Sequence, residues 1–289
     1  MASSVSLPQA LSPERIFEIA RTLPADLSVL SKLNELLRDP NTELSAISAQ
    51  LRRDVALSAR IVKLSNSPMF GGGRTIATPD EAVNCVGFGE ILKLVGTATA
   101  GRLSENTLQC YDISAKLLRD NMLYGAFAAE ALARSARMDP RVAYCAGLLR
   151  SVGLMILDRA GRGHVVSAPL YSASRWPDYL SWEKAVFGIA SSEVTGILLD
   201  EWQFPAEISR AIRSHYVTEP GDIKQPLAVL LNVANGMAQA VCRSFQGEEA
   251  LWQVTPEKLA AAGLEEEHFE KAIVDTESAF EAAQAALGR

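Results

Sequence analysis

Histidine is scarce in this chain: three in 289 residues. A catalytic metal centre draws three or more protein ligands, mostly imidazole and carboxylate, onto one ion. So few imidazoles weigh against that class at the outset. The four cysteines, Cys85, Cys110, Cys145 and Cys242, include no Cys-x-x-Cys pair. They sit among Val, Leu, Ala or Tyr, where a free thiol acts as a small apolar residue, and this fits a reducing, cytoplasmic setting. Basic excess is also missing. The formal net charge is −6, which leaves no electrostatic footprint for nucleic acid. Short basic clusters at Arg52-Arg53 and at Arg134, Arg137 and Arg141 are interspersed with acids and read as solvated helix faces. No stretch of ~18 residues is apolar without charge, so no membrane span is expected; the longest candidate, 142–157, is interrupted by Arg150. Residues 1–9 have neither the basic nor the apolar region of a secretory signal.

What is present is globular composition, 48% hydrophobic and 21% charged, with enough length to bury a core without disulfides or metal. Apolar residues recur at steps of three and four, and strand-like alternation is rare, so the chain is expected to be all-α. Ser12-Pro13 opens a first helix as N-cap and first helical residue. A second carries Leu27, Leu30, Leu33 and Leu37 and stops at Asp39-Pro40. Leu44, Ile47 and Leu51 mark a third, and Asp54 caps a fourth that ends at Ser65-Asn66-Ser67-Pro68. Gly71-Gly72-Gly73 reads as a loop. Pro79–Val83 and Glu90–Ala100 follow. The pattern then predicts long helices over 106–137, 141–158 and 182–200, a loop-rich 161–177, and helices over 205–215, 227–245 and 256–286. The expected organisation is a flexible tail over 1–11, an N-terminal helical lobe over 12–103 and a C-terminal helical lobe over 104–289.

Several motifs together resemble one family. Leu23-Pro24 precedes a Leu-rich helix and Asp39-Pro40. Then comes Asp54-Val55-Ala56-Leu57-Ser58-Ala59-Arg60-Ile61-Val62-Lys63-Leu64-Ser65-Asn66-Ser67-Pro68-Met69-Phe70, with Thr75-Ile76, Glu81-Ala82-Val83 and Val86-Gly87 behind it. Ala146-Gly147-Leu148-Leu149, the segment 188–199, and Glu201-Trp202-Gln203-Phe204-Pro205-Ala206-Glu207-Ile208 leading to His215-Tyr216 continue the match. This resembles an HDOD domain, an HD-related output domain, along nearly the whole chain. One departure is Val86-Gly87, where the family usually has Leu-Gly. The resemblance implies an all-α protein of two helical lobes, the second HD-like, used as a non-catalytic signalling or output module in bacteria.

The resemblance also locates a vestigial metal site. The pair after Gly-Leu-Leu is normally His-Asp, and here it is Arg150-Ser151. Arg has no lone pair for a metal and stays protonated. Asp120 falls where a family helix often carries His, Ser191 where a His commonly follows the Gly188 element, and Tyr216 where a second His is frequent. His215 is the surviving imidazole. Thus Asp120, Arg150, Ser151, Ser191 and His215 form the candidate pocket, with no metal, cofactor or catalytic residue expected. If Arg150 faces the bundle its charge needs a partner, and Asp120 is the expected one through a bidentate bridge. The alternatives are an anionic ligand read by Arg150, or a solvent-facing Arg150. For His215 the plainer expectation is a hydrogen-bonded histidine near a helix end.

Other constellations carry less. Ser65, Ser67 and Ser151 lack a Gly-x-Ser-x-Gly context. The glycine triplet lacks the Gly-Lys-Ser/Thr of a phosphate loop. Glu265-Glu266-Glu267 reads as a solvated helix start, and Trp176, Trp182 and Trp202 read as packing residues. The leading expectation is therefore a regulatory module that contacts a protein partner in a bacterial signalling pathway. Its candidate interaction loop is Asn66, Ser67, Pro68, Phe70, Gly71, Gly72 and Gly73. A small-molecule, nucleotide-type sensor using the former active-site cavity is the alternative, and a residual metal-dependent phosphohydrolase comes third.

Overall fold

The computed structural model describes residues 10–23, 26–39, 41–71, 75–87, 90–162 and 168–288. Among them the chain forms α-helices and no strand; an isolated antiparallel bridge, Leu108 to Ile113, is its sole β-type pairing. In chain order the helices are α1 (Pro13–Ala20), α2 (Asp26–Arg38), α3 (Leu44–Leu51), α4 (Val55–Ser65), α5 (Pro79–Val86), α6 (Ile91–Leu103), α7 (Ala115–Ser135), α8 (Pro140–Leu149), α9 (Val152–Arg162), α10 (Tyr179–Phe187), α11 (Ser191–Glu201), α12 (Ala206–Arg213), α13 (Pro226–Ala240), α14 (Pro256–Ala261) and α15 (Glu266–Ala286).

Local chemistry sets many of the starts. Ser12, Asp54, Thr78, Ser114, Asp139, Asp178 and Thr255 each accept a backbone N–H of the first turn with a side-chain oxygen. Such caps satisfy donors that no helical carbonyl can reach. Proline opens α1, α5, α8, α13 and α14, where its missing N–H is harmless.

Helices α2 to α6 pack on one another, while α7, α8, α13 and α15 form a second group around α7. Helix α6 joins the two through contacts with α7 and α8. Helix α1 lies against α9 and α11 rather than α2, and Leu11 ahead of it is buried and donates its N–H to the Phe187 carbonyl at 3.1 Å. Residues 1–9 of the expected tail lie outside the described residues. Along α7, residues 118–129 are all buried on every face, as befits a helix at the centre of a bundle. One helical stretch, Pro140–Arg162, is long and apolar enough to cross a membrane, and 89% of its apolar window lies inside the fold.

Five expected helices differ in extent; the one expected over 227–245 ends at Ala240, with Cys242 in the left-handed region at φ 56°. The predicted helix over 106–137 starts only at Ala115, since 108–113 closes into the bridge and Ser114 supplies the cap. The predicted helix over 182–200 divides at Gly188, whose φ of 69° is the left-handed conformation that ends α10. The 256–286 stretch divides at Gly263, φ 73°. The 141–158 helix breaks at Arg150-Ser151 into α8 and α9. There the Thr195 hydroxyl accepts the Gly153 N–H at 2.9 Å and lies 3.2 Å from the Arg150 carbonyl and 2.9 Å from that of Ser191. A side chain inserted into the helical ladder is a recognised cause of such a break. Gly153 permits it, because a Cβ there would sit 2.0 Å from the Ser191 oxygen.

Candidate site around Arg150

The break between α8 and α9 aims Arg150 into the bundle, where it is 3% exposed. Its guanidinium forms a bidentate bridge to Glu248, at 3.1 Å to Oε1 and 3.0 Å to Oε2, and donates to Asn121 Oδ1 at 2.7 Å. The cation also lies 5.1 Å from the Trp252 ring centroid and 5.5 Å from that of Phe245. Glu248 is fully buried and accepts a further bond from the Tyr216 hydroxyl at 2.8 Å. Two buried opposite charges in fork geometry, flanked by aromatic faces, satisfy one another where neither could stand alone.

Asp120 is not that partner, which corrects the expected pairing. It points away from Arg150, ion-paired with Lys116 and 3.4 Å from Arg119. The inward position on α7 is Asn121, whose Nδ2 donates to the Arg243 carbonyl at 2.7 Å. Successive helical residues are about 100° apart, so an alignment slipped by one residue selects the wrong face. Glu248 lies in the 3-10 turn Gln246–Leu251, 98 residues from Arg150. No motif in the sequence marks it; the available hint was a buried-type glutamate between Phe245 and Trp252.

His215 is fully buried and its ring stacks on Trp252 at 5.5 Å and lies 4.2 Å from Tyr216. Its Nδ1–H donates to the Ile212 carbonyl at 2.5 Å, as expected of a histidine at the end of a helix, here α12. Burial, and then the Arg150 charge, push its pKa down to about 3, so the ring is neutral. Ser151 is buried and its hydroxyl has no partner among the described residues. Ser191 begins α11, and its N–H donates to Glu183 Oε2 at 2.6 Å. The site thus brings together Arg150, His215 and Tyr216 with Asn121, Glu248 and Trp252. Ser151 and Ser191 contact neither the Arg150 guanidinium nor Glu248 by any hydrogen bond in the structure, and Asp120 faces elsewhere.

Next to Ser191 is a second buried carboxyl. Glu183 is fully buried and also accepts from the Tyr111 hydroxyl at 2.7 Å. Burial raises its pKa to about 8, against the lowering effect of its hydrogen bonds, so it is largely protonated at neutral pH. The Tyr179 hydroxyl donates to the Tyr111 carbonyl at 3.0 Å, and Tyr111, Tyr179 and Trp182 pack edge-to-face.

These donors do not fit a metal. Both Glu248 oxygens are engaged by a permanent cation, which would also repel an incoming ion. Among the described residues no three His, Cys, Asp or Glu side chains converge to hold one.

The described part of the candidate interaction loop, 66–71, is held by hydrogen bonds. Asn66 accepts the Ile76 N–H at 2.8 Å and donates to the carbonyls of Ile76 and Val62. Ser67 donates to the Leu64 carbonyl at 2.6 Å. Phe70 is turned into the core, while Asn66 and Pro68 face solvent. A Cβ on Gly71 would meet the Ser65 carbonyl at 2.4 Å, so glycine is required there. Gly72 and Gly73 lie outside the described residues.

An all-α bundle with a break between α8 and α9, and a buried Arg150–Glu248 bridge at that break, has the architecture of an HD-like helical domain. The HDOD domain family matches residues 23–218, and the chain belongs to that family. Glu248 therefore lies beyond the matched span. The chain is 25% identical over 268 residues to an uncharacterized protein of Treponema pallidum, covering 91% of this chain and about half, 51%, of that protein's length. Among solved structures it resembles an HDOD domain protein of unknown function from Geobacter sulfurreducens, with a TM-score of 0.71, 20% identity, and 95% and 96% of the two chains covered. A Shewanella amazonensis protein named provisionally as a phosphohydrolase gives 0.63 at 19% identity, covering 93% and 97%. A Marinobacter aquaeolei protein named provisionally as a signal transduction protein gives 0.61 at 18%, covering 99% and 62%. These likenesses establish the shared fold.

Proposed function

We propose that this chain is a non-catalytic regulatory module of bacterial signal transduction that acts in the cytoplasm by contacting a protein partner. The observation that carries this reading is the buried bidentate bridge from Arg150 to Glu248, which engages both carboxylate oxygens at the residue that the family resemblance sets against a metal ligand. The provisional name of the Marinobacter relative points the same way, and that of the Shewanella relative points to hydrolysis. The donor set supports the former. The test combines metal analysis of the purified protein, phosphodiesterase and phosphomonoesterase assays with added manganese, iron or magnesium, and affinity capture from a bacterial lysate. The reading expects no stoichiometric metal, no hydrolysis and a stoichiometric protein partner. One firmly bound transition metal per chain, with hydrolysis lost on its removal, would overturn it.

A second reading, a small-molecule sensor, is favoured by one feature. A cleft of about 790 Å³ opens beside Tyr216; Lys184, Lys224 and Arg213 line it together with Glu193 and Asp222, and Arg213 is ion-paired with Glu193 at 3.0 Å. Tyr216 holds Glu248, so a nucleotide-type anion in this cleft would reach the Arg150 bridge through a single hydrogen bond. A nucleotide that co-purifies, with no protein partner retained, would select this reading over the first.

A further inference from the structure

Helix α7 has a second polar face, turned away from Arg150. Arg119 lies there with its side chain only 4% exposed, and its ion contact among the described residues is Asp120 Oδ1 at 3.4 Å. The other Asp120 oxygen is held by Lys116, which is 73% exposed. A guanidinium this buried usually has a full set of acceptors. Arg119 instead lines a pocket of about 350 Å³ where α4, α6, α7 and the end of α15 meet.

Two more cations border the same pocket, Arg60 and Lys63 of α4. Arg60 Nη2 is bound to Glu105 at 2.7 Å on the solvent side. Its Nη1 lies 3.4 Å from where a Cβ on Gly101 would stand, which places it over the pocket wall. Lys63 makes no ion pair among the described residues, and its Nζ reaches over the end of α15, 3.9 Å from the Cβ position of Gly288. The floor is apolar: Leu64, Ala98 and Leu287. Three cations therefore line one opening; Glu105 answers Arg60 from the solvent side, and Asp120 is shared between Lys116 and Arg119, which leaves net positive charge at the pocket.

We propose that this pocket is an anion site for a small phosphate monoester, the phosphate held by Arg60, Lys63 and Arg119 and an apolar substituent resting on Leu64, Ala98 and Leu287. The volume suits a compact ligand. Guanidinium groups match tetrahedral oxyanions by forked hydrogen bonds, and an adjacent ammonium adds a point charge. The chain's net charge of −6 disfavours attraction of a polyanion such as nucleic acid and leaves a local positive pocket as the recognition element. Because α4 and α6 belong to one helical group and α7 and α15 to the other, a ligand here would bridge the two. The site is independent of the Arg150 reading and can fail without affecting it.

The test is calorimetric titration of the whole chain with inorganic phosphate and with phenyl phosphate, each at constant ionic strength against sodium chloride. Saturable binding at millimolar concentrations or tighter is expected, with phenyl phosphate ahead of phosphate. Lys63→Glu and Arg60→Glu, both at accessible positions, should each weaken it about tenfold or more, the scale of a lost charge-assisted hydrogen bond. Circular dichroism and the melting temperature verify that each variant is folded, and Lys63→Gln serves as the milder replacement. Heats no larger than those of matched chloride, or binding that survives both charge reversals unchanged, would overturn the proposal.

Discussion

Neighbouring residues of α7 serve two opposite environments. Asn121 turns inward to a closed site in which Arg150, Glu248, Tyr216 and Trp252 leave each charge answered. Arg119 turns toward an open pocket where positive charge exceeds the carboxylates able to answer it. The difference shows what happens to a cation in a helical bundle. Enclosed, it demands a partner in ideal geometry and becomes structural; at an opening, it can be left under-compensated and offered to a ligand.

The sharpest way to break this comparison is Glu248→Ala. It strands the Arg150 charge in the core and should lower stability by about 3–5 kcal/mol, visible as a large fall in urea midpoint and melting temperature. The double variant Arg150→Met with Glu248→Leu should recover part of that loss, because no buried charge is left unpaired, although Asn121 and Tyr216 each lose a hydrogen-bond partner. A Glu248→Ala protein as stable as the parent would mean the bridge is not closed in solution.

Next in size is a pH effect from Glu183. Its folded pKa is raised to about 8 from 4.5, so the folded state holds a proton the unfolded chain releases. Its contribution is complete below about pH 4.5 and is lost as pH rises through 8, at a rate of at most about 1.4 kcal/mol per unit. Glu183→Gln mimics the protonated form, keeps an acceptor for the Ser191 N–H, and should flatten the stability profile between neutral and mildly alkaline pH. His215 works on the other side. Its pKa is lowered to about 3 from 6.5, so stability falls as pH drops below about 6.5, where the unfolded imidazole takes a proton the buried ring refuses. Urea titrations across pH separate the two.

Asp120→Ala should cost less than Glu248→Ala, about 1–3 kcal/mol. Its pair with the exposed Lys116 contributes little in water. The change also takes the carboxylate from the nearly buried Arg119, which keeps access to solvent through its pocket. A loss as large as that of Glu248→Ala would reverse the assignment of the two faces. Lys63→Glu should change stability by no more than about 0.5 kcal/mol, the usual range for an accessible surface position. Its effect belongs to phosphate binding, so a folded variant with an unchanged melting temperature but lost binding sharpens the contrast between closed and open cations.

The helical content was legible from the three- and four-residue apolar steps, and several starts from Ser12-Pro13, Asp54 and Pro79. That Arg150 itself cannot ligate a metal was legible too, since its guanidinium has no lone pair to donate whatever surrounds it. Helix breaks at Arg150-Ser151 and near residue 114 were not, because the agents are tertiary: the Thr195 hydroxyl from α11, and a bridge across 108–113.

By itself, then, the sequence determined which segments are helical, which family motifs they carry, and that residue 150 is a permanent cation. Each of these follows from local periodicity or from one side chain's fixed chemistry. Only the tertiary structure decided that Arg150 bonds to Glu248 rather than Asp120, and that Arg60, Lys63 and Arg119 share one opening. Pairing across 98 residues depends on how helices rotate and pack, and a rotation of about 100° exchanges one α7 neighbour for the next.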